Sequence, residues 1–75
     1  MDWKDRLKEE YAQTKERYEK LKAYNNKIEV EVNLADFIEN KEEHYRNHLL
    51  KRQQSAMGEY LHILELRAEL EHIEL

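Results

Sequence analysis

Residues 49–70 read LLKRQQSAMGEYLHILELRAEL, and the spacing of the apolar residues in this stretch decides the fold. Two rows recur at alternating steps of four and three. One is Leu49, Gln53, Ala56, Tyr60, Ile63, Arg67 and Leu70; the other is Leu50, Gln54, Met57, Leu61, Leu64 and Ala68. Such steps trace a helix face, whereas a half-buried strand would alternate with period two. The spacing therefore predicts one long helix, from about 41 to 73. Two neighbouring rows make an apolar face wider than one partner helix covers.

Upstream, Ile28-Glu29-Val30-Glu31-Val32 does alternate with period two, the pattern of a strand. A single five-residue strand has no partner in this chain, so the segment reads as part of an extended connector over about 27–40. Within that connector Asn33 resembles an N-cap with Asp36 at N3, and Leu34, Phe37 and Ile38 would form a short helix over the open end of the core. Earlier still, Leu7, Tyr11, Thr14, Tyr18, Leu21, Asn25 and Ile28 repeat the steps of four and three. They predict a first helix over about 2–26, capped by Asp2 and stopped at Asn25-Asn26, since Asn tolerates the left-handed C-terminal position.

The expected architecture is a single all-α domain over 1–75. It is an antiparallel helical hairpin with a long C-terminal helix, packing as a homo-oligomeric helical bundle. At 1.5 Å per residue the helices span about 37 Å and about 50 Å, so residues beyond about Leu66 should overhang the first helix. Residues 1–27 hold eight basic and six acidic side chains, and residues 28–75 hold five and eleven. A mildly basic helix thus faces an acidic one. The surplus apolar row predicts self-association, through Ala56, Met57, Tyr60, Ile63, Leu64, Arg67, Leu70 and Ile73.

Composition narrows the function. The chain has 13 Lys+Arg and 17 Asp+Glu, a formal charge of −4, which argues against nonspecific binding to nucleic acid or to a membrane surface. It has no cysteine, hence neither disulfides nor a thiol nucleophile. No apolar run has the length of a membrane span, and the first residues lack a signal-peptide core; the expected location is the cytoplasm. With no proline and one glycine, little interrupts helix.

Few residues carry chemistry. Lys4, Lys8, Tyr11, Lys15, Tyr18 and Lys22 form one stripe of the first helix. Its functional reading is an anion site, with rings stacking on bases and lysines meeting phosphates. Its ordinary reading is a solvated helix border whose lysine stems snorkel. Arg67 interrupts the apolar face and should find a carboxylate among Asp2, Asp5, Glu9 and Glu10, or else a ligand phosphate. His44 and His48 stand at i,i+4, a spacing that can hold a metal, but no third ligand accompanies them. Glu59-x-x-His62 and Glu69-x-x-His72 match the spacing of di-metal bundles, yet both lie on one helix and point apart. No metal and no cofactor is expected. Thr14 and Ser55 lack an adjacent base, and Gly58, mid-helix, belongs to no phosphate loop. The expected activity is non-enzymatic.

The opening Trp3-Lys4-Asp5-Arg6-Leu7, with Glu10-Tyr11, Arg17 and Lys20-Leu21, and the closing Leu49 to Arg67 resemble the two helices of a family of small phage and prophage proteins. That family is typified by a gene product of a crAss-like phage. The resemblance covers about half the chain, mostly at packing positions, and the stretch from Ile28 to Arg46 departs from the family's short connector. It implies a small phage-encoded accessory protein. By analogy such a protein binds a host component to counter antiphage defence through a protein–protein interaction. A weaker similarity is to phage cyclic-nucleotide sponges that act against the CBASS defence, also oligomerising hairpins. Gln53 to Met57 echo one of their runs without its tryptophan, so their ligand residues are not carried over. That similarity implies the alternative of an oligomeric sponge sequestering a signalling nucleotide. A structural or regulatory phage protein is the third reading. The expected partners are therefore a second copy and either a host protein or a nucleotide.

Overall fold

A computed structural model describes residues 2–34 and 41–75, without the side chains of 33 and 34. Two helices, α1 (Trp3–Leu34) and α2 (Lys41–Leu70), pack antiparallel as an all-α hairpin measuring 51 × 19 × 18 Å. Asp2 caps α1: its Oδ1 accepts from the Lys4 amide at 3.3 Å, and its carbonyl accepts from the Arg6 amide at 3.1 Å. Two of the amides that a helix start leaves orphaned are thereby satisfied.

α1 does not stop at Asn26. It continues two further turns, so the extended reading of 28–32 is replaced by helix. Helical geometry places Ile28 and Val32 on the same face as Asn25, and both are half-buried while Glu29, Val30 and Glu31 are exposed. The β-branched residues lower helix propensity by only a few tenths of a kcal/mol each, less than the gain from burying Ile28 and Val32. Asn33 and Leu34 lie in this helix, so Asn33 starts no new one. The short cap around Phe37 and Ile38 falls outside the described residues.

The longer α1 also removes the expected overhang. With helices of 32 and 30 residues, Leu7 packs with Leu64, Ala68 and Ile73, and Leu75 lines a groove with Tyr11, so the end of the chain lies beside α1. α2 itself stops at Leu70, three residues before the expected boundary, in a Schellman turn. The Ile73 amide donates to the Ala68 carbonyl at 2.8 Å and the His72 amide to the Glu69 carbonyl at 3.2 Å. His72 adopts the left-handed conformation, φ 56°. Ile73 closes the turn hydrophobically over the core, as this motif commonly does.

Of the two rows on α2, the one through Leu61, Leu64 and Ala68 faces α1. Buried apolar residues among those described are Leu7, Leu61, Leu64 and Ala68. Leu64, with 1% of its surface exposed, and Ile73 thus belong to the hairpin's own packing and not to an outer interface; Met57 is half-buried beside them. Two polar side chains are buried in the seam, and the first bonds across it. Asn25, buried, donates through Nδ2 to the Leu50 carbonyl at 3.1 Å and to Gln54 Oε1 at 2.9 Å. The buried Thr14 hydroxyl donates to Glu10 Oε1 at 3.1 Å.

Candidate functional site

The helix register fixes what lies opposite the first helix's tyrosines. Tyr11 meets Glu65 and Tyr18 meets Gly58, so one groove runs along the hairpin between Tyr11, Lys15, Tyr18 and Glu19 of α1 and Gly58, Leu61 and Glu65 of α2. The Tyr11 hydroxyl donates to Glu65 Oε2 at 2.8 Å. This hydrogen bond, then partial burial and the carboxylate's charge, raise the Tyr11 phenol above its ordinary pKa. Lys15 Nζ stands 5.7 Å from the centroid of the Tyr11 ring, within cation–π range.

Gly58 gives the groove its floor. A Cβ there would sit 3.3 Å from Tyr18 Cε1, closer than ordinary contact, so the missing side chain makes room for the Tyr18 ring. Two half-buried aromatic rings, about 10 Å apart along the helix at 1.5 Å per residue, therefore border one groove with an ammonium between them. Such a surface can stack a planar ring and neutralise an anion.

Of the stripe expected from sequence, Tyr11, Lys15 and Tyr18 are brought together. Lys4, Lys8 and Lys22 are exposed outside the groove, and Lys4 Nζ instead lies 5.9 Å from the Trp3 ring. The sequence reading missed Glu19, Gly58, Leu61 and Glu65. The signal for the three on α2 was the antiparallel register, which a first helix ended at residue 26 sets wrongly.

Arg67 is exposed and acts on the Tyr60 hydroxyl. Partial removal from water, then the nearby Glu10 carboxylate, raise the Tyr60 pKa, and Arg67 opposes them. Arg67 is thus not a buried charge in need of a partner. His44 and His48 line a second groove near the interhelical connection, with Ile28, Val32, Asn47 and Lys51. Among the described residues no three His, Asp or Glu side chains converge as a metal site requires, and no helix is long and apolar enough to cross a membrane.

A two-helix hairpin with an aromatic, cation-bordered groove and a small core defines a small all-α protein. More particularly, the chain belongs to the Sequestin family, whose sequence model matches residues 1–70. No curated protein and no solved structure matches it.

Proposed function

We propose that this protein is non-enzymatic and acts by sequestering a small ligand in the groove between Tyr11, Tyr18 and Gly58. The ligand class that fits is an aromatic anion, a linear or cyclic signalling nucleotide. The observation that carries this reading is the pairing of two half-buried tyrosine rings with Lys15 across a groove opened by Gly58. The family name, Sequestin, agrees with it. The biological setting we propose is a phage-encoded accessory protein in the host cytoplasm, removing a signal on which antiphage defence depends.

Docking on a basic host protein is the second reading. It is favoured by the acidic end of α2, where Glu59, Glu69, Glu71 and Glu74 are exposed. Glu65 takes less part in that face because it holds the Tyr11 hydroxyl.

Thermal shift of the purified protein against a panel of linear and cyclic nucleotides decides between them. A ligand at 100 times its Kd adds about 2.7 kcal/mol of stability, a shift of many degrees for so small a domain. Lys15→Glu should abolish that shift without unfolding the chain. If no nucleotide moves the melting point, sequestration of nucleotides is excluded and the acidic face becomes the functional surface.

A further inference from the structure

The end of the hairpin nearest the interhelical connection carries a second opening. Asn25 fixes the register there through its bonds to the Leu50 carbonyl and to Gln54. Ile28 and Val32, one turn apart on α1, therefore come opposite His44, Asn47, His48 and Lys51 of α2. Together they border a cavity of about 390 Å³, within the size range of sites that hold small molecules. It shares no residue with the groove of Tyr11, Tyr18 and Gly58. Lys51 stands about 10 Å along α2 from Gly58 at 1.5 Å per residue.

The two walls differ in chemistry. On the α1 wall Ile28 and Val32 are half-buried and apolar. On α2, positions 44, 47, 48 and 51 follow one another at i, i+3, i+4 and i+7, so helical geometry puts all four on one face. Each of the four side chains carries at least one N–H donor. His44, Asn47 and Lys51 have no hydrogen-bond or ion-pair partner among the described residues. Asn47 is half-buried, and a half-buried amide without a protein partner leaves its bonds to water or to a ligand. His48 packs beside Tyr45, with ring centroids 6.5 Å apart and planes 31° from parallel.

Charge favours an anion at this end. Residues 41–58 carry four basic and two acidic side chains, whereas residues 59–75 carry one basic and five acidic. Glu29 is the carboxylate among the lining residues. It belongs to the α1 wall and is engaged in an interaction of its own, so an anion keeps to the α2 wall.

We propose that this cavity is a second binding site, which takes a phosphomonoester with an apolar or planar ester body. Donors decide the head group. A phosphate presents three strong acceptor oxygens, which an ammonium, an amide and two imidazoles can all reach from one helix face; a carboxylate has fewer oxygens to share among them. The apolar wall decides the body, because Ile28 and Val32 gain only from a group that also leaves water. The site stands apart from the tyrosine groove, and its occupancy does not depend on what that groove binds.

Titration of the ¹⁵N-labelled full chain with phenyl phosphate, followed by NMR, tests the proposal. Saturable shifts are expected at the Asn47 side-chain amide, the His44 and His48 rings and the Lys51 backbone amide. Lys51→Glu should weaken that binding by about tenfold or more, the factor that a hydrogen bond to a charged group carries, while circular dichroism stays helical. Should that variant unfold, His48→Ala and the shift map of the unmodified chain still decide. Absence of saturable shifts at these residues would overturn the site. Shifts centred on Gly58 and Glu65 would overturn it too, by assigning the anion to the tyrosine groove. Benzoate binding as tightly as phenyl phosphate would defeat the phosphate assignment, and inorganic phosphate binding as tightly would defeat the role given to the apolar wall.

Discussion

Tyr11 joins packing and chemistry at one side chain. Its phenol donates to Glu65, and that bond, with partial burial, lifts its folded pKa above the ordinary tyrosine value; Tyr60 is lifted in the same direction. A group whose folded pKa is raised stabilises the fold fully below its unfolded pKa and loses that contribution as pH rises through the folded value. Melting temperature should therefore hold level up to about pH 10 and fall above it. Tyr11→Phe should lower stability at neutral pH yet soften the alkaline fall; an unchanged alkaline limb would separate Tyr11 from it. Gly58 gives a second residue-level test. Alanine in its place should gain about 1 kcal/mol of helix propensity, offset in part because Tyr18 must shift outward from a Cβ 3.3 Å away. Thermal melts of Gly58→Ala should show equal or higher stability, and titration should show weaker ligand binding, since the displaced ring closes the groove. A variant that both melts higher and binds as well would mean that the groove floor is not the site.

α2 ends on a residue that dislikes its conformation. His72 is held at φ 56°, where an L side chain costs about 1–2 kcal/mol and glycine nothing. His72→Gly should stabilise the hairpin by about 0.5–1 kcal/mol after the greater freedom of the unfolded chain is subtracted, and His72→Val should destabilise it; urea denaturation of both variants checks the sign. The position was hard to read beforehand because helix C-termini announce themselves through Gly or Asn, and residues 71–73 are Glu, His and Ile. The same rule misplaced the end of α1. Asn25 and Asn26 resemble a stop, but Asn25 is a buried seam residue whose amide bridges to Leu50 and Gln54. It is a polar residue of the kind that fixes the register of paired helices. Likewise the alternation of Ile28 to Val32 mimics a strand, because positions four apart satisfy both a period of two and, closely, a period of 3.6. By contrast, the seam residues Leu7, Thr14, Leu61, Leu64 and Ala68 were legible from heptad spacing alone, since burial in a hairpin follows that spacing directly.

For the molecule as a whole, the sequence shows two apolar rows on α2 but not which one meets α1. That choice depends on the rotation of one helix against another, and its consequences include the groove residues Gly58 and Glu65. Neighbouring residues separate the two rows experimentally. Leu64 is 1% exposed and Ile63 is 44% exposed, although one follows the other in the chain. Leu64→Ala removes buried volume within one hairpin and should cost about 2–5 kcal/mol, lowering the melting temperature at every protein concentration. Ile63→Ala trims a side chain of the exposed outer row, the row whose surplus apolar surface predicts self-association. Association stabilises a folded state by mass action, which makes the melting temperature rise with concentration. Thermal melts over a hundredfold range of concentration should show that rise for the unmodified chain and, displaced downward, for Leu64→Ala. The rise should be flattened for Ile63→Ala, with the three curves differing least in shape at high dilution, where dimers dissociate. Parallel, concentration-independent losses for both variants would place Ile63 in the same core as Leu64 and remove the distinction between an inner and an outer row.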